Sequence, residues 1–259
     1  MSSRRQVIDP DAWAESRIRK TERVNDPLYF RQLLSGRDFA RTDPIAGQMV
    51  NFTYAVGDRT TGEALVVDPA YDVAGIVDAL AEDDMTVKGV LLTHYHADHC
   101  GGEMMGFRIE GVRELLEVTS VPIHIQGDEA DYVLKVTGVA ETDLVRHRSG
   151  DLVFAGSIPI ELIHTPGHTP GSQCFLVDNR LVAGDTLFLQ GCGRTDLPGG
   201  DPAEIYRSIT ERLAKVPDDA TLFPGHLYSP EPSAPLGETR KTNMVFRPGN
   251  VDEFLRMFS

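Results

Sequence analysis

The chain has 259 residues, of which 41% are hydrophobic and 25% are charged, values that are ordinary for a soluble globular protein able to bury a core. Its formal net charge of −14 argues against nucleic-acid binding, which needs a basic face. No stretch approaches the roughly 18 unbroken apolar residues of a membrane span. The start lacks a secretory signal, and the three widely spaced cysteines indicate a reducing compartment, so we expect a cytoplasmic protein.

The N-terminal part of the chain is rich in charge. Apolar residues recur at helical spacing over residues 10–24, which predicts an amphipathic helix. A break follows this helix at Asp26 and Pro27. We therefore expect residues 1–45 to form a helical extension and residues 46–259 to form the main domain. The extension would pack on that domain or on a second copy of the chain, which makes a homodimer an expectation of the sequence.

Strands and helices alternate through the main domain. Strands are predicted over residues 49–56, 64–68, 87–92, 121–125, 144–148, 151–164, 173–177, 180–183 and 221–223. Helices are predicted over residues 73–81, 103–118, 127–136, 201–215 and 251–258. No linker or low-complexity segment divides these elements, so they predict one layered α/β domain.

A cluster of metal-binding side chains follows the apolar strand over residues 87–92. His94, His96, Asp98 and His99 occupy four of six consecutive positions. Imidazole nitrogens and carboxylate oxygens suit zinc, iron or manganese, and four such groups buried without a cation would repel one another or stay unsatisfied. A polar loop that is rich in histidine by chance is the alternative, and it leaves the ligand candidates further along the chain unexplained.

Three further ligand candidates each follow a short apolar segment in the same way. They are His168, Asp185 and His226, and a glycine directly precedes each of them. Glycine allows tight turns and a close approach of the backbone. A lone Gly-Asp pair is usually a turn, so the specificity lies in the ordered set His-X-His-X-Asp-His, His, Asp, His.

This ordered set resembles the metallo-β-lactamase superfamily over roughly residues 49–247. The resemblance implies a four-layer αββα sandwich with a metal site at one edge of its sheets. It implies two divalent metal ions, most simply zinc, with iron or manganese as alternatives. Carried over residue by residue, it implies a first site of His94, His96 and His168, a second site of Asp98, His99 and His226, and Asp185 as a bridge.

The chemistry implied by the resemblance is hydrolysis. Two cations held close together lower the pKa of a shared water toward neutrality, and the resulting hydroxide attacks a carbonyl carbon. Asp98 is hypothesised to accept a proton from that water. Asp185, together with Asp98, sets the chain apart from the true β-lactamases of the superfamily, so drug hydrolysis is disfavoured.

Two enzyme branches and one non-enzymatic alternative stay open. The segment Gly-Cys-Gly-Arg-Thr-Asp at residues 191–196 is similar to one shared by glyoxalase II-like hydrolases and persulfide dioxygenases. We favour the hydrolase, acting on a thioester or thiol conjugate, although too few residues follow His226 for the glutathione-binding domain typical of glyoxalase II. A persulfide dioxygenase would use one iron held by His94, His168 and Asp185. A non-catalytic binding member of the fold is the third hypothesis, and the intact ligand set argues against it.

Three more residues have competing interpretations. Arg194 is predicted to bind a substrate anion, with an internal ion pair to Asp196 or Asp185 as an equal alternative. Tyr95 is predicted to line the substrate cleft or to pack as a structural aromatic. Asp68 matches an aspartate that orients the metal site in the family. An aspartate in a turn at the end of a strand is an equally good explanation.

Overall fold

The computed structural model of the protein describes residues 26–258, so the helix predicted over residues 10–24 lies outside the described residues. The strands are β1 Leu28–Leu34, β2 Phe52–Asp58, β3 Glu63–Val67, β4 Thr86–Leu91, β5 Gly102–Met104, β6 Phe107–Ile109, β7 Ile123–Gln126, β8 Leu144–His147, β9 Leu152–Ala155, β10 Ile158–His164, β11 Gln173–Val177, β12 Arg180–Gly184, β13 Thr221–Pro224 and β14 Ala234–Pro235. The helices are α1 Pro44–Met49, α2 Val73–Ala81, α3 Ala97–Cys100, α4 Val112–Val118, α5 Ala130–Thr137, α6 Pro202–Arg207, α7 Leu236–Thr242 and α8 Val251–Phe258.

Two six-stranded sheets form the centre of the molecule. The first has the order β1-β2-β3-β4-β7-β8, and in it β3, β4, β7 and β8 run parallel to one another. The second has the order β14-β13-β12-β11-β10-β9, in which β12 and β13 are parallel. Because parallel neighbours end at the same edge, the loops after β3 and β4 lie side by side, as do the loops after β12 and β13.

The two sheets pack face to face with helices on both outer sides. Tyr54 of β2 and Phe175 of β11 belong to the apolar core between the sheets. Leu80 of α2 packs in the core on the outer face of the first sheet, and Ile205 of α6 and Phe254 of α8 pack in the core on the outer face of the second. This is the four-layer αββα arrangement that the resemblance implies, and the predicted fold class is confirmed.

Part of the predicted N-terminal extension is a strand of the first sheet. β1 pairs with β2 in an antiparallel register from Leu28 opposite Asp58 to Leu34 opposite Phe52. The boundary placed at residue 45 is therefore wrong for the described residues, because residues 28–34 belong to the sheet. Polar residues interrupt β1 in the middle, as expected of an edge strand, so its apolar pattern is weak.

A hairpin replaces the first half of the helix predicted over residues 103–118. β5 and β6 pair as antiparallel strands, and the turn between them has positive φ values at Met105 (+51°) and Gly106 (+80°), which a helix does not allow. Only α4 is helical in that range. The apolar residues of this segment are spaced as on a helix face. Met105 is nevertheless 84% exposed, so it does not mark the buried face of a helix.

Two further properties bear on the expected cellular setting. Within residues 26–258, no helix has both the length and the apolar character needed to cross a bilayer. Cys100, Cys174 and Cys192 are free thiols. The cytoplasmic location stays a prediction.

Candidate metal centre

The seven predicted ligand residues meet at the edge of the sandwich where β3, β4, β12 and β13 end. His94 and His96 follow β4, and the single helical turn α3 then brings Asp98 and His99 back toward them. His168 comes from the loop between β10 and β11. Asp185 directly follows β12, and His226 lies two residues after the end of β13. Five of the seven side chains thus come from loops at the ends of strands of both sheets, and Asp98 and His99 come from α3.

The first group consists of His94, His96 and His168. The Nε2 atom of His168 lies 3.0 Å from Nδ1 of His96 and 3.3 Å from Nε2 of His94, and the latter two nitrogens are 3.0 Å apart. A tetrahedral zinc ion with bonds of about 2.0–2.1 Å places its nitrogen ligands about 3.3 Å apart. The three nitrogens therefore have the spacing of three ligands of one metal ion.

The second group consists of Asp98, His99 and His226. The Nε2 atoms of the two histidines are 3.2 Å apart, and Oδ2 of Asp98 lies 3.6 Å from the first and 3.5 Å from the second. These three residues are 6%, 0% and 2% exposed, respectively, so the group is shielded from bulk water.

Asp185 joins the two groups. Its Oδ2 atom lies 3.6 Å from Nε2 of His168 and 3.4 Å from Nε2 of His226, and its Oδ1 atom lies 3.5 Å from Nε2 of His99. Among residues 26–258, Oδ1 of Asp185 is the one buried side-chain oxygen or nitrogen without a hydrogen-bond partner. An orphaned carboxylate oxygen among imidazoles fits the donor set of a cation.

The imidazoles of His99, His168 and His226 have their second nitrogen bound on the side away from the site. His99 Nδ1 lies 2.9 Å from Oδ2 of Asp68, His168 Nδ1 donates to the backbone oxygen of Arg194 at 2.7 Å, and His226 Nδ1 donates to the backbone oxygen of Met49 at 2.8 Å. These contacts point the Nε2 atoms into the site and fix the tautomer needed for metal binding. Asp68 therefore makes the contact expected of a residue that orients a ligand.

The electrostatics of the site are those of a cation site. Burial lowers the pKa of His94 well below its usual value, and the neighbouring His99 lowers it further. Burial opposes the charge on His99, but Asp98 and Asp185 raise its pKa to about 10. Burial likewise opposes ionisation of Asp185, yet His226 and His99 hold its pKa well below the ordinary range. The carboxylates thus attract positive charge, and metal ions compete with protons for these nitrogens.

Asn51 is a functional candidate that sequence analysis missed. Its Nδ2 atom donates to the backbone oxygen of Asp98 at 3.0 Å and to Oδ2 of that residue at 3.1 Å, and Tyr71 donates its hydroxyl to Oδ1 of Asn51 at 3.1 Å. Asn51 also forms a β-bridge with His226. An asparagine within a predicted strand gives no signal of this role, because its partners are distant in sequence.

Tyr95 and Arg194 lie near the site, and each already has an internal partner. The Tyr95 hydroxyl donates to the backbone oxygen of Pro198 at 2.9 Å. The Arg194 guanidinium makes two bonds to Asp196, at 2.7 and 2.6 Å. A substrate anion would have to displace Asp196, so this structure shows the ion pair that was the alternative for Arg194. The binding roles stay predictions.

An aromatic wall borders the second group. The ring of Tyr228 stacks on His226 with the centroids 4.6 Å apart and the planes at 5°, and its other contact is Phe188 at 5.1 Å. Tyr228 is 52% exposed, so one edge of the ring is open to a ligand. Sequence analysis did not single out Tyr228, since a tyrosine in a proline-rich segment carries no pattern.

The comparisons with known proteins agree with this geometry. A family model described as Metallo-beta-lactamase superfamily matches residues 46–226, a span that includes all seven side chains. A hydroxyacylglutathione hydrolase from Hahella chejuensis (strain KCTC 2396) is 34% identical over 190 residues, which cover 72% of this chain and 65% of that protein. The human mitochondrial persulfide dioxygenase ETHE1 is 31% identical over 196 residues, which cover 74% and 70% of the two chains.

Solved structures show the same likeness. The crystal structure of ETHE1 from Myxococcus xanthus superimposes with a TM-score of 0.72 at 28% identity and covers 89% of each chain. Both enzyme branches that the sequence resembles are therefore among the relatives.

Proposed function

Since the chain belongs to the metallo-β-lactamase superfamily, we propose that it is a metal-dependent hydrolase of thioesters or related esters, similar in activity to glyoxalase II. The observation that carries this proposal is the second ligand group, in which the ligand atoms of Asp98, His99 and His226 lie within 4.8 Å of one another, as those of the first group do. A mononuclear oxygenase needs only one such group. Two complete groups joined by Asp185 favour a dinuclear hydrolytic site.

The donor set fits two divalent cations. His94, His96 and His168 would hold one, Asp98, His99 and His226 the other, and the orphaned oxygen of Asp185 favours its role as the bridge. Zinc is the simplest occupant of such nitrogen and oxygen ligands, and iron and manganese accept the same set. When bound, two such ions supply Lewis acidity and a water whose pKa is near neutrality.

The protein's own residues supply proton transfer and positioning. Burial opposes ionisation of Asp98, but His99 and His226 lower its pKa, so it is a carboxylate at neutral pH. Asn51 donates a hydrogen bond to its Oδ2 atom, and in this proposal Asp98 would accept a proton from the attacking water. Tyr228, half exposed and stacked on His226, would contact the acyl or thiol part of a small substrate.

Hydrolysis of a panel of thioesters tests this proposal. We expect the zinc-loaded protein to cleave at least one small thioester, and Asp98→Asn to lower kcat by about 100-fold or more, the usual contribution of a general base. Asp178→Asn is the matched control, because that carboxylate is exposed and pairs with Arg180 in the turn between β11 and β12, at the edge of the sheet opposite the site. Full activity and unchanged metal content in Asp98→Asn would contradict both roles of Asp98.

A persulfide dioxygenase is the second candidate. It is supported by the ETHE1 structure from Myxococcus xanthus, which covers 89% of each chain, and by the closeness of His94, His168 and Asp185, the set that one iron would need. Oxygen consumption by the iron-loaded protein with glutathione persulfide tests it. Rapid uptake without thioester cleavage would favour this activity over the hydrolase.

A further inference from the structure

Glu129 is a buried carboxylate next to the metal centre that the proposed chemistry does not use. It directly precedes α5 and is 0% exposed. Its Oε1 atom accepts hydrogen bonds from the backbone nitrogen of Tyr95 at 2.8 Å and from Oγ1 of Thr169 at 2.7 Å. Its Oε2 atom accepts from the backbone nitrogen of Gly171 at 2.6 Å. Burial of a carboxylate is costly unless such donors surround it.

The three donors belong to the two loops that carry the first ligand group. Tyr95 stands between His94 and His96, and Thr169 directly follows His168. One carboxylate therefore ties a loop at the end of the first sheet to a loop at the end of the second. The two linked loops carry His96 and His168, whose facing nitrogens are 3.0 Å apart.

Close packing makes the link rigid. A Cβ atom on Gly171 would lie 2.5 Å from the backbone nitrogen of Glu129, so only glycine lets this loop approach the start of α5. The ring of Tyr132, one turn further along α5, stacks on Tyr95 with centroids 4.9 Å apart. Residues at the start of α5 thus contact Tyr95, in the loop of His94 and His96, at both its backbone nitrogen and its aromatic ring.

We propose that Glu129 is a positioning residue that fixes the spacing between the loop of His94 and His96 and the loop of His168, and so sets the affinity of this group for its metal ion. The inference rests on the metal site of the proposed function. A carboxylate suits the position because it presents only acceptors to three converging donors. An amide would turn an N–H toward at least one of them. Burial raises the pKa of Glu129 to about 7 while the three hydrogen bonds oppose this, so these bonds stabilise its ionised form.

Zinc affinity of the folded protein, measured by competition with a chromophoric chelator, tests the proposal. We expect Glu129→Gln to weaken zinc binding by about tenfold or more, in the range seen when a partner of a ligand is removed. Asp58→Asn is the matched control. Asp58 is also a fully buried carboxylate, and it accepts hydrogen bonds from Ser157 and Thr60 at the opposite edge of the sheets. The control should bind zinc as the wild type does.

A second pair of variants covers the case in which Glu129→Gln does not fold. Thr169→Val removes one of the three donors and should weaken zinc binding, whereas Thr169→Ser keeps the hydroxyl and should restore it. Wild-type affinity in folded Glu129→Gln or in Thr169→Val would overturn the proposal, as would an equal loss in Asp58→Asn. Because zinc affinity is measured without substrate, a failed thioester assay would contradict the proposed function and leave this inference standing.

Discussion

At the scale of single residues, Asp185 connects the two ligand groups. Its two oxygens face nitrogens of both groups at 3.4–3.6 Å, and one of them has no hydrogen-bond partner. A buried, unpaired carboxylate oxygen is costly. A cation among these atoms would remove this cost, so the residue that best indicates metal binding is also the one that would join the two ligand groups.

Asp185→Asn should therefore lower the metal capacity of the protein. The amide keeps the shape of the side chain and loses the charge that bridges the groups, so we expect the stoichiometry to fall from about two zinc ions to about one per chain. Isothermal titration of zinc into the metal-stripped protein measures this. Two equivalents bound by the variant with wild-type affinity would mean that Asp185 is not a bridge, and Asp178→Asn provides the unaffected control.

Glu129 should make stability depend on pH in the acidic range. Because burial raises its pKa from 4.5 to about 7, its contribution to stability is present below about pH 4.5 and is lost as the pH rises to about 7. The free energy of unfolding of the wild type, minus that of Glu129→Gln, should fall by at most about 1.4 kcal/mol per pH unit between these limits. Above about pH 8 the difference should be constant.

Denaturant titrations at several pH values measure this difference. Asp58→Asn is the control, because hydrogen bonds from Ser157 and Thr60 lower the pKa of Asp58 below its ordinary value. Its contribution is therefore present at neutral pH and is lost only in strong acid, so the corresponding difference should be flat from about pH 5 to about pH 8. A flat difference for Glu129→Gln as well would contradict the raised pKa.

Residue types and spacing predicted the seven side chains that meet in the candidate site, but not the residues that support them. The seven side chains were predictable because metal-binding residues directly follow apolar strands in a fixed order. Asn51, Glu129 and Tyr228 were not predictable, because their roles come from contacts with residues far away in the chain. Asp68 had two equal interpretations until its contact with His99 distinguished them.

At the scale of elements, the loop that carries His168 depends on close packing against α6. Gly167 has a φ of +133°, and a Cβ atom there would lie 2.2 Å from the backbone nitrogen of Ile205. Ser208, in the turn of π-helix that follows α6, donates its hydroxyl to the backbone oxygen of Pro166 at 2.7 Å. The ligand loop is thus supported by the outer helix layer on one side and by Glu129 on the other.

Gly167→Ala should displace this loop. We expect a loss of about 1–3 kcal/mol in the free energy of unfolding, since the added methyl group meets backbone atoms that have no room to move. Zinc affinity should fall in parallel. Gly47→Ala is the control, because Gly47 lies in α1 with no atom within 4 Å of an added Cβ, and it should be neutral or slightly stabilising. Equal behaviour of the two variants in denaturant titrations would contradict this account.

Sequence pattern predicted the elements of the main sheets better than the irregular parts. The strands that end at the site are short apolar runs, which periodicity detects well. The hairpin of β5 and β6 was predicted as helix because its apolar residues are spaced as on a helix face, while its turn is set by backbone conformation at Met105 and Gly106. β1 was missed because it is an edge strand with polar residues in its centre.

At the scale of the whole molecule, the metal centre connects the two sheets. His94 and Asp98 follow a strand of the first sheet, whereas His168, Asp185 and His226 follow strands of the second. Metal ions bound between them would act as cross-links at one edge of the sandwich. Binding to the folded state alone stabilises it by mass action.

Removal of the metal should therefore lower Tm. With tightly bound ions, we expect treatment with a chelator to reduce Tm by roughly 10 °C for a chain of this size. Differential scanning calorimetry before and after chelation measures the shift, and the addition of zinc should reverse it. Asp185→Asn should show a smaller shift than the wild type, and an unchanged Tm after complete removal of metal would show that the site does not connect the sheets.

The two ligand groups and Asp185 predict that this chain holds two metal ions in a hydrolytic centre. Metal content per chain, measured by plasma mass spectrometry on untagged protein made without metal supplementation, tests it most directly. We predict about two divalent ions per chain, mainly zinc, divided between the two ligand groups that Asp185 joins. About one iron per chain with little zinc would contradict the dinuclear centre and favour the oxygen-dependent activity instead.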